Sequence, residues 1–123
     1  MKLETNNINA EFYLASLALG ILESMKQGVI EPEVGIWSLG RLQCSQQFEN
    51  SPVLSDDLKY VIGCMDEIII WAELDPQNCF VRQQKMIDEL KSKCLNILSN
   101  LNYQSMGLRI LLSMDDHDLD VED

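Results

Sequence analysis

Residues 12–42 read FYLASLALGILESMKQGVIEPEVGIWSLGRL, and the fold turns on how this stretch divides. Counting from Ile8, apolar residues recur three and four apart at Phe12, Ala15, Leu19 and Leu22. A second set, Leu14, Ala18, Ile21 and Met25, runs alongside the first. Together they cover more than one face, which predicts a helix buried between others. Lys26 and Gln27 end it, and Gly28 supplies the left-handed residue of a C-terminal cap. Gly20 costs such a helix about 1 kcal/mol relative to alanine, a cost that close packing of a neighbour would explain. Pro32 fits the first position of the next helix, where its missing amide goes unfelt. Glu31 and Glu33 sit beside it, at the positive end of the helix dipole. Ile36, Leu39 and Leu42 give this second helix an apolar stripe, and Gly35 and Gly40 let it press close to a neighbour. The stretch is therefore a helical hairpin. It is not a helix-turn-helix DNA reader, because its second helix offers only Arg41 to a groove.

Before the hairpin, residues 1–7 form a polar lead-in, and Asn7 or Asn9 is placed to cap the first helix. After it, residues 43–54 read as a loop or an added turn of the second helix, with Pro52 among Ser, Asn and Gln. Ser55 then caps a third helix that carries Asp56 and Asp57 in its first turn. Leu58, Val61, Ile62, Met65, Ile68, Ile69 and Ala72 form its core stripe. The run Ile68-Ile69-Ile70-Trp71 alone would also suit a buried strand, but the spacing before it favours the helix. Asp75-Pro76 marks the next boundary, with Asp as cap and Pro opening a fourth helix over 76–101. There Phe80, Ile87, Cys94 and Leu101 recur every seven residues, interleaved with Leu90, Ile97 and Leu98. Its outer face carries Arg82, Lys85, Lys91 and Lys93, with Glu89 four residues before Lys93. Gly107 precedes RILLS, which suits either a short helix or a strand. The last ten residues, MDDHDLDVED, hold six acidic groups whose mutual repulsion predicts a mobile tail. The expected fold is all-α: one domain, a bundle of four to five helices over residues 1–113, with an acidic tail at 114–123.

A chain of 123 residues suits one domain with its own core. Twenty acidic residues against nine basic ones give a formal net charge of -11. That surface repels phosphate backbones and anionic membranes and attracts a basic protein. Cysteines 44, 64, 79 and 94 form no CxxC pair, the start MKLETNN is unlike a signal peptide, and no apolar run approaches the roughly 20 residues of a membrane span. The expectation is a cytoplasmic protein with reduced thiols.

Catalytic signatures are missing. The chain has no GxGxxG, GxxxxGK or HExxH. His117, the single histidine, lies in the acidic tail, where nothing would hold a catalytic base in place. The tail also lacks the glycine and the closing glutamate of a calcium loop. Asp66 and Glu67 are sequence neighbours and point apart. No catalytic, cofactor or metal residue is expected. Two constellations suit protein binding instead. Glu67, Ile70, Trp71, Glu73 and Asp75 lie near the end of the third helix. Glu31, Glu33 and Trp37 lie near the start of the second. Tryptophan among carboxylates is a composition suited to anchoring on a basic surface. The plainer reading is that each tryptophan closes the core with one edge.

The segment LALGILESMKQGVIEPEVG (17–35) gives the chain a resemblance to the immunity proteins of bacterial polymorphic toxin systems, including those of contact-dependent growth inhibition. With a similar opening and the later acidic helix junction AELDPQNC (72–79), the chain also resembles an uncharacterised family of small helical bacterial proteins. The resemblance implies a cytoplasmic partner protein that binds one cognate toxin domain, often a basic nuclease, and covers its active site or an essential surface. It assigns no roles to individual residues. A nucleic-acid mimic, or an adaptor for another basic protein, is the alternative of a different class.

Overall fold

In the computed structural model residues 2–39 and 46–114 are described, the side chains of Ile36 and Trp37 excepted. The expectations placed on those two side chains, on Gly40, Arg41, Leu42 and Cys44, and on the acidic tail from Asp115 with His117 lie outside this range. The fold is predominantly helical. In chain order it comprises β1 (Lys2–Glu4), a 3-10 turn (Asn7–Asn9), α1 (Ala10–Lys26), α2 (Pro32–Leu39), α3 (Gln46–Glu49), α4 (Asp56–Met65), a second 3-10 turn (Ile68–Ile70), α5 (Trp71–Leu74), α6 (Cys79–Ser99), α7 (Tyr103–Met106) and β2 (Leu111–Ser113).

The core forms where α1 meets α6 and α4. Ala15, Ala18, Leu22 and Met25 of α1 are buried against Leu58, Val61, Ile62 and Met65 of α4 and Ile87, Leu90, Cys94 and Ile97 of α6. Two ion pairs tie α1 to α6 outside this core: Lys26 Nζ to Asp88 Oδ2 at 2.9 Å, and Lys91 to Glu23. Lys91, read from the sequence as part of a solvated face, thus joins two helices. The bond from Lys91, with a second from Gln27, holds the Glu23 carboxyl below the usual range.

The hairpin turn follows the sequence closely. Val29 donates to Ser24 O at 2.9 Å and Gly28 to Met25 O at 3.1 Å, while Gly28 adopts φ +73. These are the two bonds of a Schellman cap, which consumes carbonyls that α1 cannot pair internally. Pro32 opens α2. The close approach occurs at Gly35, where an added Cβ would stand 2.7 Å from Met25 Sδ and 3.1 Å from Ile21 Cγ2. Gly20 makes no such approach: it is exposed, and an added Cβ meets nothing within 4 Å. It borders a groove lined by Leu19, Leu95 and Leu98. Gly20→Ala is therefore expected to raise the unfolding free energy by about 0.5–1 kcal/mol, seen as a higher midpoint in urea.

Other expectations need correction. Asn9 is wholly buried and makes no capping bond; its Nδ2 donates to Thr5 Oγ1 at 3.2 Å, and the Thr5 hydroxyl donates to Arg109 O. Ile8, placed on the α1 stripe, lies in the 3-10 turn and is exposed, because the helix begins only at Ala10. Ser55 does cap α4, accepting from Leu58 N at 3.1 Å. The third helix is not continuous to residue 72: α4 ends at Met65. The chain then tightens into the 3-10 turn Ile68–Ile70, whose β-branched run suits a long α-helix poorly. The break keeps Ile68 buried but turns Ile69 and Ala72 out of the core. Gln83 of α6 donates to the Ile68 carbonyl at 3.0 Å, satisfying a group that the interrupted ladder leaves free.

The fourth helix starts at Cys79 rather than Pro76. Asp75 leaves the helical region, at φ -148 and ψ 71, in keeping with the steric bar that a following proline sets against the α conformation. Residues 76–78 make a turn instead of a first helical turn. Phe80, expected in the core, is 72% exposed: Lys26, the last residue of α1, pairs with Asp88, so α1 ends before the first two turns of α6. The first seven residues are more than a lead-in. Lys2–Glu4 pairs antiparallel with Leu111–Ser113, with Leu3 opposite Leu112. The stretch left open around RILLS is therefore a strand, preceded by the helical turn Tyr103–Met106.

Candidate functional site

The corner from Glu67 to Arg82 joins the 3-10 turn, α5 and the start of α6. Breaking the third helix gives this corner its character. A continuous helix would have kept Ile69 and Ala72 on the core stripe. As built, the corner exposes Ile70, Leu74, Phe80 and Val81, with Ile69 at its margin. Glu67 and Glu73 are exposed among them.

Trp71 is half-buried, and the Arg82 guanidinium lies 5.0 Å above the centre of its ring. Its indole Nε1 is buried and meets no acceptor among the described residues. Arg82 Nε also reaches Asp75 Oδ2 at 3.1 Å, and Asn78 Nδ2 donates to the same carboxylate at 3.3 Å. The bond from Arg82, aided by Asn78, holds the Asp75 carboxyl below its usual range. That contribution is complete above the free aspartate pKa and is lost as pH falls through the lowered value. Asp75 is thus already engaged within its own chain. Glu67 and Glu73 are the carboxylates that remain exposed at this corner.

The second predicted group lies on an adjacent element. Glu31 and Glu33 are exposed at the start of α2, beside exposed Val29 and Val34, and α2 packs against the Ile68–Ile70 turn. Trp37 belongs to α2, with its side chain outside the described range. The two acidic groups, separate in the sequence, therefore lie on elements that touch. The sequence reading missed Leu74, Phe80, Val81 and Arg82. The heptad spacing assigned Phe80 to the core, and only the tertiary arrangement reverses that. No sequence signal marks Arg82, because its reach to Asp75 depends on the turn at residues 76–78.

Among the described residues no group of three or more His, Cys, Asp or Glu is placed to hold a metal, and no helix is long and apolar enough to cross a membrane. Cys64, Cys79 and Cys94 are free thiols. Burial pushes the Cys94 thiol up to about 11, and raises Cys64 as well. Since the thiolate is the reactive form, Cys94 is expected to be the slowest of these three to react with iodoacetamide at pH 8 in the native protein. Labelling of Cys94 at the rate of half-buried Cys79, followed by peptide mass spectrometry, would contradict the packing described.

Comparison of the chain with protein-family models, with curated proteins and with solved structures finds no match.

Proposed function

We propose that this chain is a non-catalytic binding protein that neutralises a cognate basic toxin domain, in the manner of an immunity protein, by covering its active site or an essential surface. The observation that carries the reading is the 67–82 corner, where Phe80, Leu74, Val81 and Ile70 stand exposed beside Glu67 and Glu73. Exposed aromatic and aliphatic side chains bordered by carboxylates suit a partner with an apolar pocket and a basic rim. The net charge of -11 speeds encounter with such a partner and repels nucleic acid itself. Glu31 and Glu33, on the neighbouring helix, extend the acidic surface.

The test begins with the gene immediately upstream of this chain's own, which the reading expects to encode a basic toxin domain. Co-expression is expected to restore growth, and the two purified proteins to bind one to one. Phe80 is the anchor to truncate, because its exposure separates binding from folding. Trp71 packs under Arg82, so removing it would disturb both. Phe80→Ala is expected to raise the dissociation rate by about 30-fold, equivalent to about 2 kcal/mol. Glu73→Lys is expected to slow association at low salt and to leave dissociation nearly unchanged. Unchanged kinetics in both folded variants would remove the corner from the interface. Failure to bind an upstream domain, together with capture of some other basic protein, would move the reading to a nucleic-acid mimic or adaptor.

A further inference from the structure

All six residues of the two-stranded sheet are exposed. Strands of three residues with no third partner are marginal by themselves, and an uncovered edge strand offers a row of backbone groups to another chain. The side chains of β1 say which chain that is. Lys2, Leu3 and Glu4 form a sequence that complements itself when two copies run antiparallel. Pairing centred on Leu3 sets Lys2 of each copy opposite Glu4 of the other, with the two Leu3 side chains facing across the axis. Centring on Lys2 or on Glu4 would oppose like charges, and a half-step shift would oppose leucine to charge. One register is therefore favoured over all its neighbours, which is how cross-strand pairs fix register. β2 holds Leu111, Leu112 and Ser113 and has no charges with which to make such a choice.

The face of the sheet that carries Leu3 supplies apolar surface for the same contact. Leu3 and Ile110 line a groove of about 550 Å³ with Ala10, Tyr13, Leu14 and Leu17 of α1. Leu3, Leu17 and Ile110 are each close to half exposed there. We infer that β1 pairs with β1 of a second copy about a two-fold axis through Leu3, giving a continuous four-stranded antiparallel sheet in which the second Leu3 extends the apolar floor of this groove. The Lys2 to Glu4 ion pair within one strand, at 2.7 Å, does not oppose this. Both side chains are largely exposed, so the pair contributes little and exchanges for the equivalent pair across the axis.

The experiment is sedimentation equilibrium of the full chain from about 1 to 500 μM in 0.15 M salt, where the screening length of about 8 Å damps repulsion between the acidic bodies. The mass is expected to rise with concentration from 14.0 kDa to twice that value. Lys2→Glu places Glu opposite Glu twice and is expected to weaken the dimer at least tenfold. Glu4→Lys is expected to weaken it similarly, although it makes the chain less acidic. That separates strand pairing from general charge, since relief of overall repulsion alone would strengthen the dimer. The exchanged variant Lys2→Glu/Glu4→Lys restores opposite charges at both positions and is expected to return within about threefold of the parent. Its net charge equals that of the parent, so recovery cannot come from overall charge. A monomer across the whole range would overturn the inference. So would a dimer indifferent to the single changes, one strengthened by Glu4→Lys, or one that the exchange fails to restore.

Discussion

Leu22→Ala is expected to lower the unfolding free energy by about 3–5 kcal/mol, read as an early urea transition with unchanged slope. Leu22 has no exposed surface and stands in the part of α1 that packs against α6 and α4. Truncation removes its transfer free energy and leaves a cavity that three helices cannot all close at once. Against a typical total of roughly 5–15 kcal/mol, that is a large share of the stability of one domain. Phe80→Ala serves as the contrast. At 72% exposure it is expected to change stability by no more than about 0.5 kcal/mol. Equal costs at the two positions would mean that the first turn of α6 is packed, and the proposed binding corner would lose its main anchor.

Gly35→Leu is expected to cost about 2–3 kcal/mol and to loosen α2 from the bundle. An added Cβ already meets Met25 Sδ at 2.7 Å and Ile21 Cγ2 at 3.1 Å. Alanine there already asks buried Met25, and Ile21 by a few tenths of an ångström, to give way, a smaller cost that the gain in helix propensity offsets in part. Leucine must displace both side chains much further, and α2 would lift from α4 and from the Ile68–Ile70 turn, which it also touches. Shortening Met25 alongside Gly35→Leu is expected to recover part of the loss, as coupled neighbours do. If the double variant is simply additive, Met25 is not what Gly35 accommodates.

What the sequence disclosed was mostly local. The Gly28 cap, Pro32 at the start of α2 and Ser55 at the start of α4 each depend on chemistry within a few residues. All three stand where the sequence placed them. The break after Met65 has no proline to announce it, and Gly63, two residues earlier, lies within the last turn of α4 rather than after it. It is made acceptable by Gln83, a partner 15 residues downstream. Heptad spacing marked the face of α6 correctly at Ile87, Leu90, Cys94 and Ile97, and failed at Phe80. Periodicity states which way a side chain points, not how far the opposing helix extends. The sheet was the least legible element. Its strands are short and exposed, and pairing Lys2 with Ser113 leaves no signal in either segment. The candidate corner was recognisable by its tryptophan and carboxylates. Arg82, which occupies Asp75 and covers Trp71, was not, because its role arises from the turn at residues 76–78.

The pairing of Lys2 with Ser113 also sets the order of events during folding. It closes a loop of ~110 residues, and the entropy of that closure is repaid by only a few exposed backbone bonds. Contacts within the hairpin and between α4 and α6 span far less chain and bury far more apolar surface. The sheet therefore forms last, after α1 and α6 have brought the two segments into reach. In the native protein it is correspondingly the first part to open. Amides of residues 2–4 and 111–113 should exchange with solvent deuterium well before those of α1, by local fraying rather than by global unfolding.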